Sequence, residues 1–337
     1  MRSTKSPSWT ERAGVAGRLP EWAAGLLGLA PRAVPPHVFA LDRARLRYAA
    51  FAREGDEVRL MEYRERELPP DAFATGLLGG PLRDGEGFAR LVAELVADLG
   101  APPREGSLLL PDAWLRLAFT EVGDLPRAPR EREEVLRWKL RRLVPFRVDE
   151  LRVAASEVEA LPAQEEPRRL LLGFALEQLL AQAEAAFAAA GVRLGLVANA
   201  SLALLHALRT RPADGLDALA LIDGEGQSLL FARGDQPVLH RYKPAAAGEA
   251  GGHGRLVVRD LRLTLSFLAE NVPGAELRRV LLLAPPALEE RWLDWLTEGL
   301  GRPALPLARE HLLLAGDPGT AWNETAPLMG AACVEFR

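Results

Sequence analysis

Apolar and polar positions alternate along this chain in short runs that predict strands and helices in turn. Two strand-sized runs, Leu46–Phe51 and Val58–Tyr63, are separated by the polar turn Glu54-Gly55-Asp56. Helical spacing follows at Phe88–Leu99, and Gly100 ends that helix. The alternation continues to the end of the chain. It predicts an α/β fold with a mixed sheet in each half.

The second half of the chain repeats the pattern of the first. Leu219–Ile222 is an apolar run that leads into Asp223, as Phe39–Leu41 leads into Asp42. The tripeptide Phe-Ala-Arg and a glycine-containing turn then follow in both copies. An internal duplication of a strand-rich α/β unit is the simplest explanation.

The repeat predicts two lobes, 37–214 and 215–337, that meet at Pro212–Gly215. Residues 1–36 are rich in Arg, Ser, Pro and Gly and are predicted to be a partly disordered N-terminal extension. Within it, Trp22–Leu29 has the spacing of a short amphipathic helix. This helix either docks on a partner or a lipid surface, or packs on the body of the protein.

Composition and charge exclude several classes of function. The chain has 337 residues, a net charge of −4 and a pI near 5.9, so it has no basic surface typical of nucleic-acid binding. Cys333 is the single cysteine, which excludes a disulfide framework. No apolar run approaches the ~20 residues of a membrane-spanning helix. No transmembrane segment is predicted.

Catalytic and metal-binding patterns are missing. The sequence has neither a phosphate-binding G-x-x-x-x-G-K-[ST] loop nor a G-x-S-x-G nucleophile motif. Its five histidines lack the spacing of metal ligands. The sequence therefore predicts no catalytic residue and no metal site, and the protein is not expected to be an enzyme.

The most specific pattern lies between Trp114 and Glu157. Leu125-Pro126 precedes a helix with an acidic start, which carries Trp138 and leads into Val144-Pro145-Phe146. This pattern resembles the PilM family of type IV pilus assembly proteins. The resemblance extends roughly from Val38 to the C-terminus.

The resemblance implies an actin-like, two-lobed fold built on an RNase H-like duplication and related to the cell-division protein FtsA. It also implies an inserted α/β subdomain in the first lobe, near 123–167. A PilM-like protein is a cytoplasmic scaffold, held at the inner membrane by a PilN-like protein whose N-terminal tail it binds. Trp138, Val144, Pro145 and Phe146 are the predicted partner-binding region. The alternative is that these side chains only hold the insert onto the lobe.

Many PilM proteins bind ATP, and the resemblance identifies where ATP with Mg²⁺ would lie. The candidate nucleotide-binding residues are Asp42, Asp223, Gly224 and Gly226. The first hairpin reads Asp42-Arg43-Ala44-Arg45, without the glycine that lets a backbone approach phosphate. Late in the chain, Leu283-Ala284-Pro285-Pro286 replaces an expected double glycine. We therefore expect a degraded nucleotide cleft and no cofactor, with bound ATP as the alternative.

Two other functions remain compatible with the sequence. One is a GspL-like cytoplasmic domain of type II secretion, which binds the secretion ATPase. The other is a kinase of the same superfold, which would need an intact phosphate cradle. A pilus ATPase as a further partner and self-association also remain open.

Overall fold

The computed structural model describes residues 36–145, 147–161, 168–209, 215–245, 253–272, 276–316 and 322–333. The first 35 residues of the predicted extension and the predicted lobe boundary at 212–214 lie outside these ranges.

The first sheet has six strands in the order β14-β3-β2-β1-β4-β8. Its central strand β1 pairs antiparallel with β2 and parallel with β4. Both faces of β1 are buried, because alternate side chains of a strand point to opposite faces. The six strands are β1 (His37–Leu41), β2 (Arg45–Glu54), β3 (Glu57–Glu67), β4 (Glu105–Leu110), β8 (Arg193–Asn199) and β14 (Leu314–Ala315).

The second sheet repeats this arrangement with five strands in the order β11-β10-β9-β12-β13. Its central strand β9 pairs antiparallel with β10 and parallel with β12, as β1 pairs with β2 and β4. The duplication predicted from the sequence is therefore confirmed by strand order and direction. The five strands are β9 (Leu216–Ile222), β10 (Gly226–Arg233), β11 (Gln236–Pro244), β12 (Leu277–Leu283) and β13 (Ala304–Pro306).

Helices and sheets form five layers. Helices α1 (Gly85–Ala97) and α3 (Glu177–Ala189) pack on the outer face of the first sheet. Helices α4 (Ala200–Ala207) and α7 (Trp322–Cys333) fill the space between the two sheets. Helices α5 (His253–Asn271) and α6 (Pro286–Leu300) cover the outer face of the second sheet. The two lobes consequently share one central core.

A third sheet of three strands, in the order β5-β7-β6, forms a small subdomain with helix α2. It extends beyond the predicted insert 123–167 on both sides, since β5 and β7 flank that segment. Helix α2 ends at Arg141, three residues before Val144 of the predicted partner-binding region. These elements are β5 (Arg116–Val122), β6 (Leu151–Val158), β7 (Arg168–Leu176) and α2 (Pro129–Arg141).

The C-terminal part of the second half returns to the first sheet. Strand β14 pairs parallel with β3, and α7 packs beside α4. The two helices approach so closely that a Cβ on Gly330 would overlap the carbonyl oxygen of Ala203. The predicted second lobe, 215–337, thus contains elements that pack on the first sheet. The lobe bounds themselves stay a prediction.

None of the described helices combines the length and the apolar character needed to cross a membrane.

Candidate functional site

The two acidic strand ends form equivalent turns. Oδ1 of Asp42 accepts hydrogen bonds from the backbone N–H groups of Ala44 and Arg45, at 2.8 and 2.9 Å. Oδ1 of Asp223 accepts from Glu225 and Gly226, both at 2.8 Å. Each aspartate thus occupies two N–H groups of its own hairpin, the type of donor that binds phosphate in a turn.

Both hairpins line one cleft between the lobes, with a volume of about 930 Å³. Asp42, Asp223 and Gly224 face it, so the structure brings three of the four predicted nucleotide residues together. Gly226 does not line this cleft. A Cβ there would overlap the carbonyl oxygen of Lys243, so this glycine allows β10 and β11 to approach each other.

An ion pair crosses the cleft where the two hairpins meet. Nε of Arg43 lies 2.6 Å from Oε1 of Glu225. Nη2 of Arg47 lies 2.7 Å from Oδ2 of Asp42, so both oxygens of this carboxylate are occupied. The arginines at the glycine-free hairpin therefore form ion pairs with carboxylates of the protein itself.

The proline pair also faces this cleft. Pro285 caps helix α6 and Pro286 is its first residue. Helix N-termini bind phosphate through free backbone N–H groups, and proline has none. This end of the cleft therefore lacks two donors.

The pKa of Asp223 departs from the usual range of an aspartate. Burial raises its pKa to about 6, although the N–H groups of Gly226 and Glu225 oppose the shift. Among the described residues, no group of three His, Cys, Asp or Glu side chains could hold a metal ion.

A buried polar cluster connects the lobes beneath the cleft. Oδ2 of Asp112 lies 3.2 Å from Nε2 of His240 on β11 and accepts a hydrogen bond from the Ser201 hydroxyl. Its Oδ1 accepts from the Ser201 backbone N–H at 3.0 Å. The Asp112 and His240 side chains are each only 1% exposed. Burial opposes ionisation of Asp112, yet the hydrogen bonds from His240 and Ser201 bring its pKa below the usual range.

Sequence reasoning missed this cluster, although a signal was present. Asp112 follows the apolar run Ser107–Leu110, and the same pattern of an acidic residue after a strand had selected Asp42 and Asp223. Its histidine partner lies 128 residues away, a distance in sequence that local patterns do not bridge.

A separate groove runs between the small subdomain and the first sheet, with a volume of about 620 Å³. Strand β6 is an edge of the small sheet and β8 an edge of the first sheet, and residues of both line the groove. Many of these side chains are small, including Ala154, Ala155 and Ala198. Among the described strands, none pairs with these two edges, so the groove offers free backbone groups beside open space.

Residues of the second lobe border the same groove. Asp235, in the turn between β10 and β11, and Pro237, near the start of β11, line it together with His206 of α4. Burial lowers the pKa of His206, and the charge of Asp235 opposes that shift. The groove thus contacts both lobes and the small subdomain.

The predicted partner-binding residues lie on α2 and after it. Trp138 is 50% exposed, with Lys139 and Arg142 over its ring at 5.5 and 5.4 Å. Val144 packs against the core of the small subdomain, and Pro145 is exposed. None of these described residues lines the groove. The predicted partner-binding residue Phe146 lies outside the described residues.

No protein-family model matches the sequence, and neither does any curated protein. Among solved structures, the PilM-PilN type IV pilus biogenesis complex aligns with a TM-score of 0.66 at 18% identity, over 89% of this chain and 96% of that one. The cytoplasmic domain of EpsL, an inner-membrane component of the type II secretion system of Vibrio cholerae, aligns with a TM-score of 0.47 at 11% identity, over 89% and 96%.

A Bacteroides thetaiotaomicron protein with an actin-like ATPase fold aligns with a TM-score of 0.49 at 9% identity, over 87% of this chain and 94% of that one. At such identities a likeness shows fold alone. The duplicated sheets, the helices between them and the likeness to PilM agree with the predicted fold class: this chain has the actin-like fold.

Proposed function

We propose that this chain is a cytoplasmic scaffold of a type IV pilus assembly platform, which binds the N-terminal tail of a PilN-like membrane protein between β6 and β8. The observation that carries the proposal is the groove bordered by two unpaired sheet edges. An extended peptide binds such an edge by adding a strand, because its backbone then satisfies the free N–H and C=O groups.

The lining of the groove indicates the kind of tail it would take. Ala154, Ala155 and Ala198 leave room for large side chains, and Leu117, Leu171 and Leu196 supply apolar walls. A β8-length tail of seven residues would extend for ~23 Å. An extended segment with large aliphatic side chains fits this site best. Such a tail would hold the protein at the inner membrane through its partner.

The cleft supports a role without nucleotide chemistry. Arg43 and Glu225 form an ion pair where phosphate would approach, and both oxygens of Asp42 are occupied. A scaffold needs the two-lobed shape alone, whereas a kinase would need a free phosphate cradle.

The test uses synthetic tail peptides from PilN-like proteins of the same organism. Calorimetry measures their affinity for the full chain. Ala154 is exposed within the groove, so Ala154→Trp fills the groove without disturbing the core. We expect this variant to lower peptide affinity at least tenfold. Ala97→Trp, at an exposed position on α1 away from the groove, is the matched control and is expected to bind as the unmodified chain does.

Trp138→Ala distinguishes the groove from the region on α2 predicted from the sequence. If Trp138→Ala abolishes binding while Ala154→Trp leaves it intact, the tail binds on α2 and the groove proposal is wrong. If no tail peptide binds, the pilus role itself is rejected.

A further inference from the structure

Helix α5 exposes a second apolar stripe on the face opposite its buried one. Val257 and Leu261 pack into the core of the second lobe. Leu256, Leu263 and Phe267 point away from that core and are 45%, 58% and 46% exposed. Spacings of seven and four residues align them on one side of the helix, over ~16 Å. No described residue covers this stripe.

A row of arginines runs beside the apolar stripe. Arg255, Arg259 and Arg262 are exposed and follow one another at spacings of four and three residues, on the adjacent side of the helix. Arg262 pairs with Glu298 at 2.9 Å, where both side chains are well exposed. Within the described ranges, Arg255 and Arg259 pair with no carboxylate.

Helix α6 adds an aromatic side chain beside the row of arginines. Trp295 and the three arginines line a cavity of about 400 Å³. Arg291 lies over the Trp295 ring, 5.5 Å from its centroid. Asp260, the acidic residue of α5 nearest the row, is ion-paired with Lys243. Among the described residues that line the cavity, Glu298, the partner of Arg262, is the one acidic residue, against three arginines. The lining therefore has a net positive charge, although the whole chain has a net charge of −4.

We propose that this face of α5 and α6 binds directly to an anionic lipid membrane. Arginines lying along one line can contact lipid phosphates together. Leucine and phenylalanine side chains beside them can enter the boundary between headgroups and acyl chains. Tryptophan is itself favoured at that boundary.

The linear arrangement favours a membrane over a protein partner. The three apolar side chains lie along a single helix, and the basic residues flank them on one side, as in helices that lie in the membrane interface. A membrane supplies negative charge and apolar contact along the whole length of the stripe. This inference does not depend on the proposed function, because the face lies on the second lobe and contains no residue of the groove.

The experiment is co-sedimentation of the full chain, without any peptide, with two kinds of vesicle. One is phosphatidylcholine alone, and the other contains about one part in four phosphatidylglycerol. We expect binding to the anionic vesicles alone, with a steep loss of binding as salt is added.

Two sets of variants test the face itself. The triple variant Arg255→Gln, Arg259→Gln and Arg262→Gln should weaken binding about a hundredfold, since each arginine contributes about fivefold. The double variant Leu263→Asn and Phe267→Asn should weaken it at least tenfold. The control for the arginines is a triple variant of exposed first-lobe arginines, Arg64→Gln, Arg90→Gln and Arg104→Gln. The control for the apolar residues is Met61→Asn, since Met61 is 62% exposed on β3. The controls should bind as the unmodified chain does.

Three outcomes would overturn the proposal. The first is that the full chain sediments with neither kind of vesicle. The second is that the triple variant binds as strongly as the unmodified chain, and the third is that binding requires an added protein. The last outcome would make the face a protein-binding surface. None of these results bears on peptide binding in the groove, so the two proposals fail independently.

Discussion

At the scale of single residues, two aspartates in equivalent turns have different surroundings. Asp42 is half-buried and paired with Arg47, whereas Asp223 is packed deeply enough that burial raises its pKa to about 6. The turn itself could be predicted, because an aspartate after a strand readily accepts from the following N–H groups. The raised pKa could not be predicted, since it depends on burial and on the charge of Asp112, which is far away in sequence.

The Asp223 carboxyl should make stability depend on pH. Below pH ~3 it is protonated in both the folded and the unfolded chain, so it contributes nothing. As the pH rises to about 6, the unfolded chain loses this proton first. The folded state then loses up to ~3 kcal/mol of relative stability. Asp223→Asn should remove this loss and be more stable than the unmodified chain at pH 7.

Urea unfolding at pH 4.5 and pH 7 measures this effect, and the advantage of Asp223→Asn should fall to roughly a third at the lower pH. Asp42→Asn is the matched control at the equivalent turn. It loses its ion pair with Arg47 and should gain no stability. An advantage of Asp223→Asn that is equal at both pH values would contradict the explanation.

Substitution of Asp112 should lower the stability of the fold strongly. Asp112→Ala leaves the buried His240 and Ser201 side chains without their shared partner, which should cost roughly 3 kcal/mol or more. Unfolding in urea at neutral pH measures the loss. Asp71→Ala, at an exposed position, is the control and should change stability by less than ~0.5 kcal/mol. Similar losses in both variants would mean that the cluster has no special role.

At the scale of elements, local pattern predicted most strands and helices but not their partners. The apolar residues of β6 and β8 favour strands. Their unpaired edges could not be recognised, because pairing is decided by residues far away in sequence. For the same reason the sequence pointed to a partner region at Trp138, whose pattern is distinctive, and gave no indication of the groove. The Trp138 region stays a prediction.

The two hairpins should not respond to nucleotide. Each uses two backbone N–H groups on its own aspartate, and Arg43 and Glu225 bridge them. We therefore expect no change in the thermal midpoint with millimolar Mg-ATP. Any ligand at a hundred times its dissociation constant would add ~2.7 kcal/mol and raise the midpoint by several degrees. A rise of that size would show that the Arg43–Glu225 pair opens and that the cleft binds ATP.

At the scale of the whole molecule, the internal repeat proved the most informative sequence signal. It predicted two sheets of equivalent strand order, and both are present. It did not predict that α4 and α7 pack between the sheets and give the lobes one core. That arrangement depends on close helix contacts such as Gly330 against Ala203, which no periodicity of either helix reveals.

Binding of a tail in the groove should be detectable in both lobes. The groove is lined by β6 and β8 and also by Asp235 and Pro237 of the β10–β11 hairpin. Hydrogen exchange with and without the tail peptide should show slower exchange in all three places. Ala154→Trp serves as the control and should show no difference on adding peptide. Protection confined to β6 and β8 would indicate that the second lobe takes no part.

The return of β14 and α7 to the first sheet also determines when that sheet can form during synthesis. The β3 edge lacks its neighbour until Leu314–Ala315 has been made, and the shared core lacks Leu328 and Met329 until later still. At ~5–20 residues per second, the ribosome has completed β9 to β13 before these residues emerge. The lobe that is translated first is therefore completed last, because its β3 edge stays without this neighbour throughout the translation of the second sheet.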